Sequence, residues 1–253
     1  MAASLVLGAC AFEPGEIADD EGFGGKPSGP GTGTDTGTGT GSGTTTQALP
    51  CTFAETDLRL CLEFDDAKLT PIVTDASTAR LDGTATALST ASRNGSPAAG
   101  FGWDSKITIP ESPMLDITGA LTLELWVWPE YPHSANLLLN ANQYRIQLSG
   151  DGRIGCAFGN SQVWSSSYQD VRAWTHVACT FSDNALTVYI NGNASGTATS
   201  IGAPTTGTSG TQLGSFAGDL DDVHIYARAL TAAQVCAHAG RTSCNSGTQL
   251  DGD

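Results

Sequence analysis

Basic residues are scarce in this chain. Eleven Lys and Arg stand against 26 Asp and Glu, and the formal net charge is −15. A surface so acidic repels phosphate backbones, which argues against nucleic acid as a partner. Beyond a short apolar start, no segment approaches the roughly 18 apolar residues needed to span a bilayer. Nucleophile and phosphate motifs are missing too: there is no Gly-x-Ser-x-Gly, no phosphate loop and no His-Glu-x-x-His. The four histidines (His133, His176, His224, His238) fall in separate segments without metal-ligand spacing. The acids themselves suit Ca²⁺, which prefers carboxylate and carbonyl oxygens.

Cysteine is plentiful by comparison. Seven is an odd number, so one is left over if the others pair. The candidate is Cys10: "LVLGAC" resembles a bacterial lipobox, in which the cysteine is lipidated and becomes the mature N-terminus. No Lys or Arg precedes the apolar run, and a start codon placed downstream of the true one would account for that. From Ala11 to Ala48 almost nothing can be buried. "GPGTGTDTGTGTGSGTTT" lacks aromatic and branched aliphatic residues, so it cannot offset the entropy of ordering. As a flexible chain of about 38 residues it spans roughly 30–35 Å r.m.s.. The expected organisation is a leader and lipobox over 1–10, a tether over 11–48, a β domain over 49–246 and a tail over 247–253. Such a chain sits at the cell envelope, meeting the membrane only through its lipid.

From Leu49 onward apolar residues alternate with period two between Gly, Asn, Asp and Pro. "LTLELWVWP" puts Leu121, Leu123, Leu125 and Val127 on one face, and Thr122, Glu124, Trp126 and Trp128 on the other. "YRIQLSGDGRIGCAF" reads as a hairpin turning at Ser149–Gly152. In "HVACTFSDNALTVYINGN", Val177, Cys179 and Phe181 share a face. "SDNA" turns the chain, Leu186, Val188 and Ile190 return, and Asn191-Gly192 supplies the positive φ of a tight turn. Many short antiparallel strands predict an all-β sandwich or jelly roll. One helix is signalled after Leu230: Thr231 and Gln234 form a capping box, Leu230 and Val235 a hydrophobic staple, and Gly240 a stop.

Several of these segments together resemble the laminin G-like jelly-roll domains. "AWTHVACTFSDNALTVYINGN" is similar to their Trp-x-His-Val-Ala … Leu-x-Val-Tyr-x-Asn-Gly hairpin. "FAGDLDDVHIYARALTAAQV" is similar to their closing strand and capped helix. "LCLEFDD", "ITIPESPMLDITGALTLELWVWPE" and the Arg145–Phe158 hairpin follow in the same order, over about residues 55–240. The resemblance implies a concanavalin A-like fold of two antiparallel sheets. It does not carry a ligand with it.

The aspartates of "DLDDVHIY" invite a chemical reading. On a regular strand Asp222, His224 and Tyr226 share one face, while Asp221 falls with Val223 and Ile225 on the apolar one. A buried carboxylate needs a partner. Related jelly rolls hold a structural Ca²⁺ where the last strand meets the first, which implies Asp221 or Asp222 with Asp65. The alternative is hydrogen bonding to loop amides. His224 reads as a solvated strand residue. A glycosidase needs two carboxylates about 5 Å apart on one sheet face. Glu63 and Asp65 share a face, but the third acid of the laminarinase-like pattern is missing.

Binding is therefore the expected role, with a glycan or other surface ligand as partner. A protein-interaction scaffold and a glycoside hydrolase of the same fold are the alternatives. Trp126 and Trp174 read as structural. Trp128, Tyr144 and Trp164 are less explained by packing and stand as candidate ligand contacts. The six remaining cysteines are expected to pair locally as Cys51–Cys61, Cys156–Cys179 and Cys236–Cys244. Cys156 and Cys179 are placed on neighbouring strands of one sheet, or remain buried free thiols.

Overall fold

The computed structural model describes residues 51, 57–65, 71–202, 204 and 206–245. Cys10, the leader, the whole tether over 11–48 and the tail lie outside them. Among the described residues, strands form two antiparallel sheets. The first runs β14 (Asn193–Thr199), β13 (Ala185–Ile190), β12 (Thr175–Ser182), β7 (Leu121–Pro129), β16 (Gly218–Tyr226), β5 (Ser96–Phe101), β4 (Ser89–Arg93). β1 (Leu58–Leu62) also pairs with β16. The second runs β11 (Ser161–Tyr168), β10 (Arg153–Phe158), β9 (Tyr144–Leu148), β8 (Ala135–Asn140), β15 (Thr211–Gly214), β6 (Lys106–Ile109), β3 (Gly83–Thr86), β2 (Ile72–Val73).

Alternation decides what each sheet buries. Leu121, Leu123, Leu125 and Val127 of β7 join Val177, Cys179 and Phe181 of β12 and Ile146, Leu148, Ile154 and Phe158 of the second sheet in one core. The hairpin turns form where small and amide-bearing residues tolerate positive φ: Asp183 (49°) with Asn184 (61°), and Asn191 (48°) with Gly192 (80°).

The helix α1 (Ala232–His238) starts at the expected capping box, with the Thr231 side chain accepting from the Gln234 amide. Leu230 and Val235 are buried in a second cluster with Leu58, Ala178, Tyr189 and Tyr226. α1 thus covers part of the outer face of the first sheet.

The three cysteine pairs form as expected, with Cα–Cα distances of 6.3 Å (Cys51–Cys61), 5.7 Å (Cys156–Cys179) and 5.7 Å (Cys236–Cys244). The setting of the middle pair differs. β10 and β12 belong to opposite sheets, so Cys156–Cys179 crosses the sandwich through the core rather than joining strands of one sheet. Both cysteines point inward because both sit in register with apolar neighbours.

Candidate ligand-binding site

The aspartate cluster is reorganised by a bulge. Asp221 pairs with Trp126 and His224 with Glu124, so Asp222 and Val223 together stand opposite Leu125. Asp222 takes φ 45°, which accommodates the extra residue. The bulge resets the alternation, and Asp221 joins Trp126, Glu124 and His224 on the outer face instead of entering the apolar core.

The partner of these carboxylates is Arg93, at the end of β4. Its Nε donates to Asp221 Oδ2 at 2.6 Å, and its Nη2 to Asp222 Oδ2. The guanidinium also lies 4.6 Å over the Trp126 ring. Burial and the neighbouring Asp222 push Asp221 up to about 7, against the pull of Arg93. Asp65 is exposed and accepts from Ser96 Oγ. The donor set does not fit a calcium site built from Asp65 with Asp221 or Asp222, because the Arg93 guanidinium already holds both of the latter carboxylates.

A second polar centre lies beside it. Glu124 is 1% exposed, and three of the four histidines surround its carboxylate. Oε1 accepts from His224 Nδ1 at 2.9 Å and from His238 Nδ1 at 2.7 Å, while His176 Nε2 is 3.7 Å from Oε2. Burial disfavours the Glu124 anion, but the His176 imidazole beside it and the hydrogen bonds from His224 and His238 outweigh it and hold the carboxyl well below its usual range. Burial likewise opposes the His224 cation, yet Glu124 raises it. His224 is therefore a buried network residue and not a solvated one. Glu63, weighed with Asp65 for catalysis, accepts the Cys51 amide at 2.8 Å.

The candidate ligand contacts do not come together. Tyr144 is 1% exposed, and its hydroxyl donates to the Leu115 carbonyl at 2.9 Å. Its residue pattern placed it on a strand, but its ring fills the core and presents nothing to a ligand. Trp164 is half-buried on the outer face of the second sheet. It packs so closely over Gly155 that a Cβ there would stand 2.7 Å from its ring, with the Arg153 guanidinium over the ring 5.9 Å from its centroid. Trp128 is half-buried on the first sheet, across from Asp219. Trp126 packs edge-on to His176 at 5.2 Å, as a structural residue. Trp174 is half-buried rather than core, its Nε1 donating to the Ser92 carbonyl at 3.3 Å.

A cluster of exposed aromatic rings lies elsewhere, on the loops joining the sheets, apart from the exposed Tyr168 at the end of β11. Trp103 follows β5, Tyr131 and His133 lie between β7 and β8, and Phe216 precedes β16. Trp103 is 54% exposed and Tyr131 38%. Their ring centroids are 5.8 Å apart, and His133 stands 4.6 Å from Trp103 and 5.3 Å from Tyr131. The group is anchored inward. His133 stacks at 6.4 Å on Phe216, which stacks at 5.5 Å on Phe101 in the core. His133 Nδ1 donates to the Tyr131 carbonyl at 2.8 Å, and Nε2 accepts the Ala217 amide at 3.3 Å. The imidazole is thus held in one tautomer and one orientation. Gly218 closes the loop at φ 149°, where a Cβ would overlap the Trp128 carbonyl. Acid lines the rim: Asp104 adjoins Trp103, and Glu130 adjoins Tyr131. Burial first, and then the Glu130 charge, push Asp219 up to about 6.

Sequence reading missed this group because its members lie in loops, outside any periodic pattern. The available signal was aromatic residues among turn formers, in "FGWDS" and "PEYPH".

Residues 101–236, more than half of the chain, match the family Laminin_G_3, described as the concanavalin A-like lectin/glucanases superfamily. Among solved structures, the binding domain of Paraclostridial Mosquitocidal Protein 1 is 17% identical with a TM-score of 0.60, over 71% of this chain and 51% of that one. Domain 4 of AbnA, an extracellular GH43 arabinanase from Geobacillus stearothermophilus solved with arabinotriose, is 23% identical with a TM-score of 0.57. That match covers 72% of this chain and 98% of that one. The binding domain of Botulinum Neurotoxin DC, solved with SialylT, is 12% identical with a TM-score of 0.55, over 74% of this chain and 52% of that one. The chain thus spans about half the length of the toxin binding domains it matches. No curated protein matches its sequence.

Proposed function

The chain belongs to the concanavalin A-like lectin/glucanases superfamily, and from that premise we propose that it is a glycan-recognition module whose ligand stacks on Trp103 and Tyr131. The observation that carries the reading is the anchored, solvent-facing aromatic group. Pyranose and furanose rings present apolar C–H faces that pack on aromatic planes, with polar groups at the rim fixing orientation. A ladder of rings from Phe101 outward supplies a platform already ordered before binding, which lowers the entropy lost on association. Similar domains solved with arabinotriose and with SialylT support a sugar as the ligand class.

The reading is of binding without cleavage. Glu124 is sealed under imidazoles, and Glu63 is tied to a backbone amide. In the same proposal Cys10 carries a lipid and the Gly/Thr segment holds the module away from an envelope membrane.

Affinity electrophoresis of the full chain through gels containing arabinan, xylan, glucans or chitin derivatives tests the platform. At least one polysaccharide should retard the protein. Trp103→Ala should weaken retention about ten-fold, the equivalent of about 1.4 kcal/mol, without altering the unfolding midpoint. Retention unchanged in Trp103→Ala/Tyr131→Ala, or absent across the panel, refutes the reading.

A further inference from the structure

Among the described residues, one trio of metal-competent side chains brings its ligand atoms within 4.8 Å of one another: Cys51, Cys61 and His224. The two sulfurs are joined in a disulfide, with His224 Nε2 3.9 Å from Cys51 Sγ. We infer that this trio is a redox-gated soft-metal site, closed as a disulfide and open to Zn²⁺ as a dithiol.

Three features support the assignment. The donor chemistry is two thiolates and an imidazole, which suits Zn²⁺. Zinc–sulfur bonds of about 2.3 Å set tetrahedral sulfurs about 3.8 Å apart, so reduction needs only a small separation of the two side chains to open the site.

The imidazole is already oriented. His224 Nδ1 bonds Glu124 at 2.9 Å, leaving Nε2 directed at the sulfurs. A carboxylate behind a ligating histidine fixes the ring and raises its basicity. Glu124 is itself held by His238, so the supporting shell reaches into α1.

Access differs among the disulfides. Cys51 and Cys244 are half-buried and each is bonded to a buried partner, Cys61 or Cys236, whereas Cys156 and Cys179 are 0% and 3% exposed within the core. A thiol reductant therefore reaches the Cys51–Cys61 and Cys236–Cys244 bonds through one half-buried sulfur while the inter-sheet bond resists.

The chemistry balances. Two equivalents of a monothiol, or one of a dithiol, deliver two electrons and two protons to the disulfide, giving Cys51–SH and Cys61–SH and an oxidised reductant. Zn²⁺ then displaces both thiol protons, together with the Nε2 proton of His224 where the imidazole is cationic, forming two Zn–S bonds and one bond to His224 Nε2 and releasing those protons to solvent. A fourth position is left for water. In either state Cys51 stays tied to β1 and β16.

Co²⁺ titration of the full chain tests this, because sulfur-to-cobalt charge transfer reports thiolate ligation directly. Oxidised protein should show no such band. After mild dithiol reduction and removal of the reductant, one Co²⁺ per chain should bind with thiolate charge transfer, displaced by Zn²⁺. The band should persist in Cys236→Ser, vanish in Cys51→Ser and weaken at least about ten-fold in His224→Asn. An equal band in Cys51→Ser overturns the assignment. So does absence of 1:1 binding in the reduced wild type, whether its β-sheet circular dichroism survives reduction or is lost and not restored by metal.

Discussion

Glu124→Gln tests whether the buried carboxylate holds its surroundings together as an anion. Glutamine preserves the shape and an acceptor oxygen, so His224 and His238 keep a neutral partner. What is lost is charge. A hydrogen bond to an ionised group contributes about 1 kcal/mol more than a neutral one, and two short bonds converge on Oε1 at 2.9 Å and 2.7 Å. His224 also loses its counter-ion in a buried position, where breaking a pair costs about 3–5 kcal/mol. The expected loss is about 3 kcal/mol.

Its pH dependence gives a sharper test. Glu124 titrates below its ordinary 4.5, so its contribution is fully present above that pH and fades as pH falls through the folded value. His224 titrates above its ordinary 6.5, helped also by the Asp222 and Glu63 charges, so its contribution is full below 6.5 and fades as pH rises. The stability difference between wild type and variant should therefore be greatest between about pH 4.5 and about pH 6.5, declining on both sides. Asp219 and Asp221, both raised, contribute to each protein and cancel in the difference. Urea unfolding followed by tryptophan fluorescence from about pH 3 to about pH 9 measures it. A difference below about 1 kcal/mol, or one flat with pH, refutes the charged network.

Two further changes probe the frame. Cys156→Ala with Cys179→Ala opens a bond of sequence separation 23, which loop-closure entropy values at about 3 kcal/mol. The loss should appear as a lower guanidinium midpoint, and an unchanged midpoint contradicts an inter-sheet staple. Arg93→Met leaves Asp221 and Asp222 without their cation and should cost about 3 kcal/mol, or about 6–12 °C in melting temperature. Millimolar Ca²⁺ should not raise the wild-type melting temperature, and a clear rise would show that an ion competes with the guanidinium.

Much of the frame was legible along the chain. Period-two apolar patterns marked β7, β12 and β13, amide-rich pairs marked the turns, and Thr231 with Gln234 marked the start of α1. Each is a local rule, enforced within a few residues by pleat geometry, left-handed backbone or a capping hydrogen bond. Cysteine pairing was legible to the same extent, but not which sheets the Cys156–Cys179 bond joins.

The candidate sites were harder to read. Strict alternation put Asp221 on the apolar face, and one bulge residue, Asp222 at φ 45°, moved it to the other. The bulge answers to a neighbouring strand, and nothing in "DLDDVHIY" announces it. Tyr144 looked available because strand membership says nothing about whether a ring points into the core or out of it.

By itself, then, the sequence determined an acidic all-β sandwich with a capped terminal helix and three cysteine pairs. Only the tertiary structure decided that three histidines meet Glu124, that Arg93 neutralises two aspartates, and that Trp103 and Tyr131 share a surface. The reason is distance along the chain. Arg93 and Asp221 are separated by 128 residues, Glu124 and His224 by 100, Glu124 and His238 by 114. Local propensity acts over a turn or a hairpin, while such partners are chosen by strand order and register, which the burial of the whole core sets at once.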